Sequence, residues 1–173
     1  ESSDVIKKRT GTELEYKLPE YCIDGVIFKG RADRVDFYDD GFVVIDYKSN
    51  KSNSHRNELQ LAAYCVLISR ITGTQPLGYG WIGHKDASFY GYFTSREMSD
   101  AYHSGKPKKI DDFLDLAEST MVEMADSIKR DIFPAKYDSL MCRSCEFYVI
   151  CRKREGFRED PENGDIGGYG DDS

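Results

Sequence analysis

Two carboxylates and an ammonium fall close together in the first third of the chain. Asp33 ends the run Gly30-Arg31-Ala32-Asp33, and after twelve intervening residues comes Asp46-Tyr47-Lys48. Gln60 and Tyr64 follow, four positions apart. A phosphodiester is hydrolysed with the help of a hard divalent cation when two or three oxygen ligands converge on one point. A positive charge beside the attacking water or the crowded phosphate oxygens helps further. Asp33, Asp46 and Lys48 supply these groups if neighbouring strands bring them together. An isolated Asp-x-Lys at a strand end is commonly a surface ion pair; the ordered set upstream and downstream sets this one apart.

The elements that would position them are legible. Residues 26–37 and 41–48 read as a hairpin turning at Asp39-Asp40-Gly41. Phe42-Val43-Val44-Ile45 is apolar at consecutive positions, as in a strand buried on both faces. Asp46 and Lys48 follow with the two-residue period that places them on one face, a costly pair there unless solvated, paired or metal-bound. Leu14, Tyr16 and Leu18 alternate with charged residues, giving a half-exposed first strand, and residues 22–28 continue as strand with Gly25 and Gly30 as breaks. A helix is expected from about Glu58 to Thr72 with apolar positions at 59, 62, 63, 66, 67 and 71, stopped by Gly73. It puts Gln60 and Tyr64 on the same side. A second hairpin spans residues 79–93, and a long amphipathic helix about 110–130. Its stripe is Phe113, Leu114, Ala117, Met121, Met124, Ala125 and Ile128. The order β-β-β-α-β-β-α predicts an α/β (α+β) fold, a mixed sheet flanked by helices.

The set Gly30-x-x-Asp33, Asp46-x-Lys48 and Gln60-x-x-x-Tyr64 resembles the PD-(D/E)XK nuclease superfamily in its RecB-like branch. That branch holds the RecB and AddB nuclease domains and the CRISPR-associated iron–sulfur exonucleases; the match covers roughly residues 13–151. The resemblance implies a restriction-endonuclease-like fold and Mg²⁺ or Mn²⁺ held by Asp33, Asp46 and the backbone carbonyl of Tyr47. It leaves Asp36 a structural or outer carboxylate. Lys48, which has donors only, would hold the nucleophilic water and stabilise charge on the phosphate, and Gln60 and Tyr64 would orient substrate. Lys51 and Arg56, in the polar loop after Lys48, suit phosphate contacts.

Cys142-Arg143-Ser144-Cys145, five residues and Cys151 form the second signal. Such close spacing argues against a structural disulfide and suits thiolate ligation of zinc or iron–sulfur. In the resembled branch this C-x₂-C-x₅-C implies a [4Fe–4S] cluster with a fourth cysteine far upstream. Cys22 and Cys65 are not placed for that role and read as buried small apolar residues. The branch's early acidic or His ligand is also missing, and His55, His84 and His103 do not occupy its place. Both gaps follow if the chain begins after that region of a longer protein, as its opening at Glu-Ser-Ser-Asp without Met indicates.

With 173 residues, the expectation is one nuclease domain over 1–153, with its cysteine cluster at 142–151. A flexible acidic tail is expected over 154–173. Residues 155–173 carry seven acids against Arg158, which contributes −6 of the net −7 and leaves the body near neutrality. The overall acidity therefore does not exclude a nucleic-acid substrate. No apolar run approaches the roughly 20 residues of a membrane helix, and an intracellular protein of the cytoplasm or nucleoid is expected. The reading is a single-stranded DNA exonuclease of repair or recombination, working with a helicase module in cis or in trans. A CRISPR spacer-acquisition nuclease carries the same motifs. A catalytically idle DNA- or protein-binding module and a zinc ribbon are the non-enzyme alternatives.

Overall fold

The computed structural model describes residues 8–52, 58–104, 110–133, 142 and 145–151. Residues 1–131 form one compact unit and 132–173 a second. In the first unit, β1 (Arg9–Lys17), β4 (Arg31–Tyr38), β5 (Gly41–Lys48), β6 (Pro76–Gly83) and β7 (Phe89–Phe93) make a five-stranded sheet in the order β1-β4-β5-β6-β7. β5 and β6 run parallel and the other neighbours antiparallel. A parallel neighbour needs a crossover, and α1 (Gln60–Thr72) provides it between β5 and β6. The short strands β2 (Tyr21–Ile23) and β3 (Val26–Phe28) pair only with each other, so residues 26–28 stand apart from β4 instead of extending it.

The apolar run of β5 has the fate its composition predicts: Phe42, Val43, Val44 and Ile45 are fully buried. Phe42 and Val44 join the core that α1 and α3 (Asp111–Lys129) cover, with Val35, Tyr79, Trp81 and Tyr92. Val43 and Ile45 face the other side, with Leu77, Phe93 and Met98 of α2 (Arg96–Ala101). A central strand sandwiched this way cannot alternate polar and apolar residues. α1 ends as expected at Gly73, whose φ of 72° is the left-handed conformation glycine adopts without strain.

Several details differ from expectation. α1 starts at Gln60, and its buried side is Leu61, Ala62, Cys65, Val66, Leu67 and Ile68, while Ile71 is exposed. The helix packs on both the sheet and α3, which widens its buried stripe. On α3, Ala117, Met121 and Ala125 are buried, but Met124 and Ile128 of the expected stripe are exposed. α2 was not anticipated. Its signal is Ser95, whose hydroxyl accepts the Met98 N–H as an N-cap, followed by Glu97 in the first turn. No described helix is long and apolar enough to cross a membrane.

Candidate active site

The β4–β5 ladder pairs Arg34 with Ile45 and Val35 with Val44. One further step of the register sets Asp33 opposite Asp46, on the face that carries Val35 and Val44. Asp33 Oδ2 accepts the backbone N–H of Tyr47 at 2.9 Å, which ties the start of β4 to the end of β5. The Lys48 carbonyl accepts the His84 N–H at 2.8 Å on the β6 side. Successive residues of a strand bond to opposite edges, and the N–H and C=O of one residue leave by the same edge. The Tyr47 carbonyl therefore leaves β5 on the side of Asp33.

Lys48 Nζ lies 3.1 Å from Asp46 Oδ2 and 3.8 Å from Glu58 Oε2. Glu58 escaped the sequence reading, although an acid two residues before Gln60, at the mouth of the crossover helix, was its available signal. The Asp46 side chain is 14% exposed. Burial pushes its carboxyl above the ordinary carboxylate range; the Lys48 ammonium pulls the other way, and the charges of Asp33 and Glu58 add to the rise. Oδ2 is a buried oxygen that accepts no directed hydrogen bond, despite the ammonium beside it. The Lys48 ammonium at 3.1 Å is the counter-charge that offsets part of the cost of burying this oxygen.

Gln60 Nε2 donates to the Tyr64 hydroxyl at 3.0 Å, as their spacing on one helix face allows. The Tyr64 ring lies over Gly30: a Cβ at Gly30 would stand 2.8 Å from Tyr64 Cε1 and 3.3 Å from its hydroxyl oxygen. The glycine of Gly30-x-x-Asp33 is thus the notch that seats Tyr64 three residues ahead of Asp33. Gly30→Ala should displace the ring and lower single-turnover cleavage on the order of 10²-fold, the effect of about 1 Å of misplacement, with the fold intact. An unchanged rate would mean that Tyr64 has no part in positioning.

The segment after Lys48 is clasped to the β6–β7 turn. The Ser52 N–H and hydroxyl both donate to Asp86 Oδ2, at 3.1 and 3.2 Å, and Ser52 and Ser88 hydroxyls meet at 2.9 Å. Lys51 is exposed on this segment, and Arg56 lies outside the described residues. Cys65 is buried as expected, with its thiol against the Gly78 carbonyl, whereas Cys22 is exposed on β2. Tyr21 and Ile23 pack against the core, so the alternation of β2 turns Cys22 between them to the other, exposed face. In the second unit, the Cys145 N–H donates to the Cys142 carbonyl and the Tyr148 N–H to the Cys145 carbonyl. The residues of the expected acidic tail lie outside the described residues.

A family model described as the PD-(D/E)XK nuclease superfamily matches residues 3–152. The chain belongs to that superfamily. Among solved structures, one described as "Crystal structure of SSO0001" is 19% identical, with a TM-score of 0.38, over 82% of this chain and 60% of its own length. A comparison with curated proteins finds no match. The five-stranded mixed sheet flanked by helices agrees with the superfamily's restriction-endonuclease-like fold.

PD-(D/E)XK nucleases typically use Mg²⁺ or Mn²⁺, and the donors here fit such a cation. Asp33 and Asp46 are hard oxygen donors on adjacent strands, and Asp46 Oδ2 is buried with no directed donor, the condition a cation relieves. The described residues hold no group of three or more His, Cys, Asp or Glu side chains suited to a metal. Two carboxylates with carbonyl and water oxygens match a cation that keeps much of its hydration. When bound, the cation supplies Lewis-acid activation of water and neutralises phosphate charge.

Proposed function

We propose that this chain is a metal-dependent deoxyribonuclease that degrades single-stranded DNA from an end, in the service of recombination or repair. The observation that carries the reading is the Asp33–Asp46 pair with Lys48 within 3.1 Å of the buried, undonated Asp46 oxygen. Asp33 and Asp46 hold the cation with the Tyr47 carbonyl. Lys48 lies beside that position, where its ammonium orients water and meets the charge developing on the phosphate. Gln60 and Tyr64 orient the strand, and Lys51 with Arg56 contacts its phosphates. Single-strand preference, end-directed digestion and a helicase partner in cis or in trans rest on the resemblance of the ordered motifs.

The test is end-labelled single-stranded DNA, duplex DNA and RNA, each incubated with Mg²⁺, Mn²⁺ or EDTA. Short products accumulating from single-stranded DNA, with metal only, are expected. Cleavage that persists in EDTA would sink the metal-dependent reading, and equal cutting inside circular strands would sink the exonuclease assignment.

Lys48→Ala should leave DNA affinity nearly unchanged and lower the saturated rate about 10²–10³-fold, since the contact is made chiefly in the transition state. If affinity fell and the saturated rate did not, Lys48 would be a phosphate clamp.

The C-x₂-C-x₅-C spacing supports an iron–sulfur cluster on Cys142, Cys145 and Cys151, completed by a fourth ligand. Anaerobically prepared protein should be brown, and Ser at any of the three should bleach it and lower thermal stability, because metal-binding energy is folding energy. Colourless, stable protein whose three thiols alkylate under native conditions would remove the cysteines from any ligand role.

A further inference from the structure

The sheet has a second polar centre on the face opposite Asp33, Asp46 and Lys48, and the nuclease reading makes no use of it. An open groove of about 500 Å³ lies there, lined in part by Arg9, Arg34, Ile82, Phe89, Tyr102 and His103. Its volume is that of small-molecule sites. We infer that this groove binds a phosphate group, carried either by a free nucleotide or by a nucleic-acid strand.

The inference rests on the charges that line it. Asp36, fully buried, accepts Arg34 Nε at 2.9 Å and Arg34 Nη2 at 2.8 Å in a bidentate fork. It also accepts the Thr12 hydroxyl at 2.7 Å, the Tyr102 hydroxyl at 2.6 Å and Arg9 Nη1 at 3.3 Å. Two guanidinium groups share this carboxylate, and among the described residues neither has another ion-pair partner. Arg9, Arg34 and Asp36 together carry one net positive charge. The Asp86 carboxylate, which keeps its charge while accepting donors from Ser52 and Ser88, is not among the described residues that line the groove.

The two arginines differ in what they offer. Arg34 is fixed: both arms of its fork are on Asp36, and Nη1 donates to the Tyr47 hydroxyl at 3.3 Å. Arg9 is half-exposed and makes one long contact to Asp36, so its remaining N–H groups have no partner among the described residues. An uncancelled charge in a concave, partly desolvated groove attracts anions more strongly than the same charge on open surface. The donors on offer are therefore those of Arg9 on β1, and a guanidinium makes charge-assisted hydrogen bonds to phosphate oxygens.

The rest of the wall is apolar. The Phe89 and Tyr102 rings lie 5.1 Å apart beside Ile82, a surface on which a base or sugar can lie while its phosphate meets the arginines. The described lining includes none of Asp33, Asp46 and Lys48, so the groove's occupancy can be measured with no metal and no cleavage.

The 173-residue chain, in EDTA, is titrated with inorganic phosphate, a nucleoside 5′-monophosphate, a short single-stranded oligonucleotide without terminal phosphates, and acetate. NMR reports the Nε signals of Arg9 and Arg34, which line the groove. Phosphate and one of the two nucleotide ligands should shift these signals. Arg9→Ala and Arg9→Gln should each weaken binding about tenfold or more, the worth of one charge-assisted contact, with an unchanged circular dichroism spectrum. Tighter binding of the monophosphate than of the oligonucleotide assigns the site to a free nucleotide, and the reverse assigns it to a strand. No shift at Arg9 and Arg34 with any phosphate ligand overturns the proposal. So does acetate binding as tightly as phosphate, or affinity unaltered in both Arg9 variants.

Discussion

Asp46→Ala and Asp33→Ala should each abolish divalent-cation-dependent cleavage while the protein stays folded. Outer partners of metal ligands are worth about 10–100-fold, and loss of a direct carboxylate ligand should exceed that. The two variants differ in their structural cost. Asp33→Ala removes the acceptor for the Tyr47 N–H and loosens the junction of β4 and β5. Asp46→Ala removes a carboxylate that burial already disfavours as an anion. A carboxyl whose pKa is raised on folding stabilises the protein when protonated, and that contribution is lost as the pH rises through the folded value. Ionised Asp46 is thus a local cost at neutral pH, and Asp46→Asn should unfold at a temperature no lower than wild type while being inactive. Isothermal titration with Mn²⁺ and a gel assay, run beside thermal unfolding, test both halves. Wild-type turnover by either alanine variant at saturating metal would remove that residue from the site.

Asp36→Asn should be the most destabilising single substitution on the opposite face, costing about 3 kcal/mol, because removing one partner of a buried ion pair strands the other. For a chain of this size that corresponds to roughly 6–12 °C in the unfolding midpoint. Burial alone would raise the Asp36 carboxyl, but the hydrogen bonds from Arg34, Tyr102 and Thr12 and the Arg34 charge outweigh it and hold it below the ordinary value of 3.8. A depressed carboxyl contributes stability that is present above its unfolded pKa and lost as the pH falls through its folded value. The gap between wild type and Asp36→Asn should therefore be widest near neutrality and close as the pH is taken below about 3.8. Urea unfolding at several pH values measures this; a gap that does not change with pH would show that shape, not charge, is what Asp36 supplies. Tyr102→Phe isolates one donor of the same network, and its smaller loss, about 1 kcal/mol, should follow the same pH trend.

The two faces of the sheet show where reading a sequence succeeds. Two-residue alternation in β4 places Asp33 with Val35 and Asp36 with Arg34, and the folded chain keeps that division. The fully apolar run 42–45 identifies the central strand because only a strand covered on both faces loses its polar alternation. Gln60 and Tyr64 share a helix face because the helical period is as local as the strand's. These are properties of a few consecutive residues, fixed by backbone geometry whatever surrounds them.

What the tertiary structure decided are the meetings across long stretches of chain. Arg9 reaches Asp36 because β1 pairs with β4 in one register, and no local pattern near residue 9 announces it. Glu58 comes within 3.8 Å of Lys48 because the β5–α1–β6 crossover starts beside the end of β5. The value of Gly30 as a notch for Tyr64 is a contact between residues 34 apart, so the glycine alone reads only as a turn. Exposure followed the same rule: Cys22, Met124 and Ile128 are apolar by type, but each lies on a face that no described element covers. Local periodicity states which residues share a face. Burial free energy, summed over pairings far apart in sequence, chooses which faces meet.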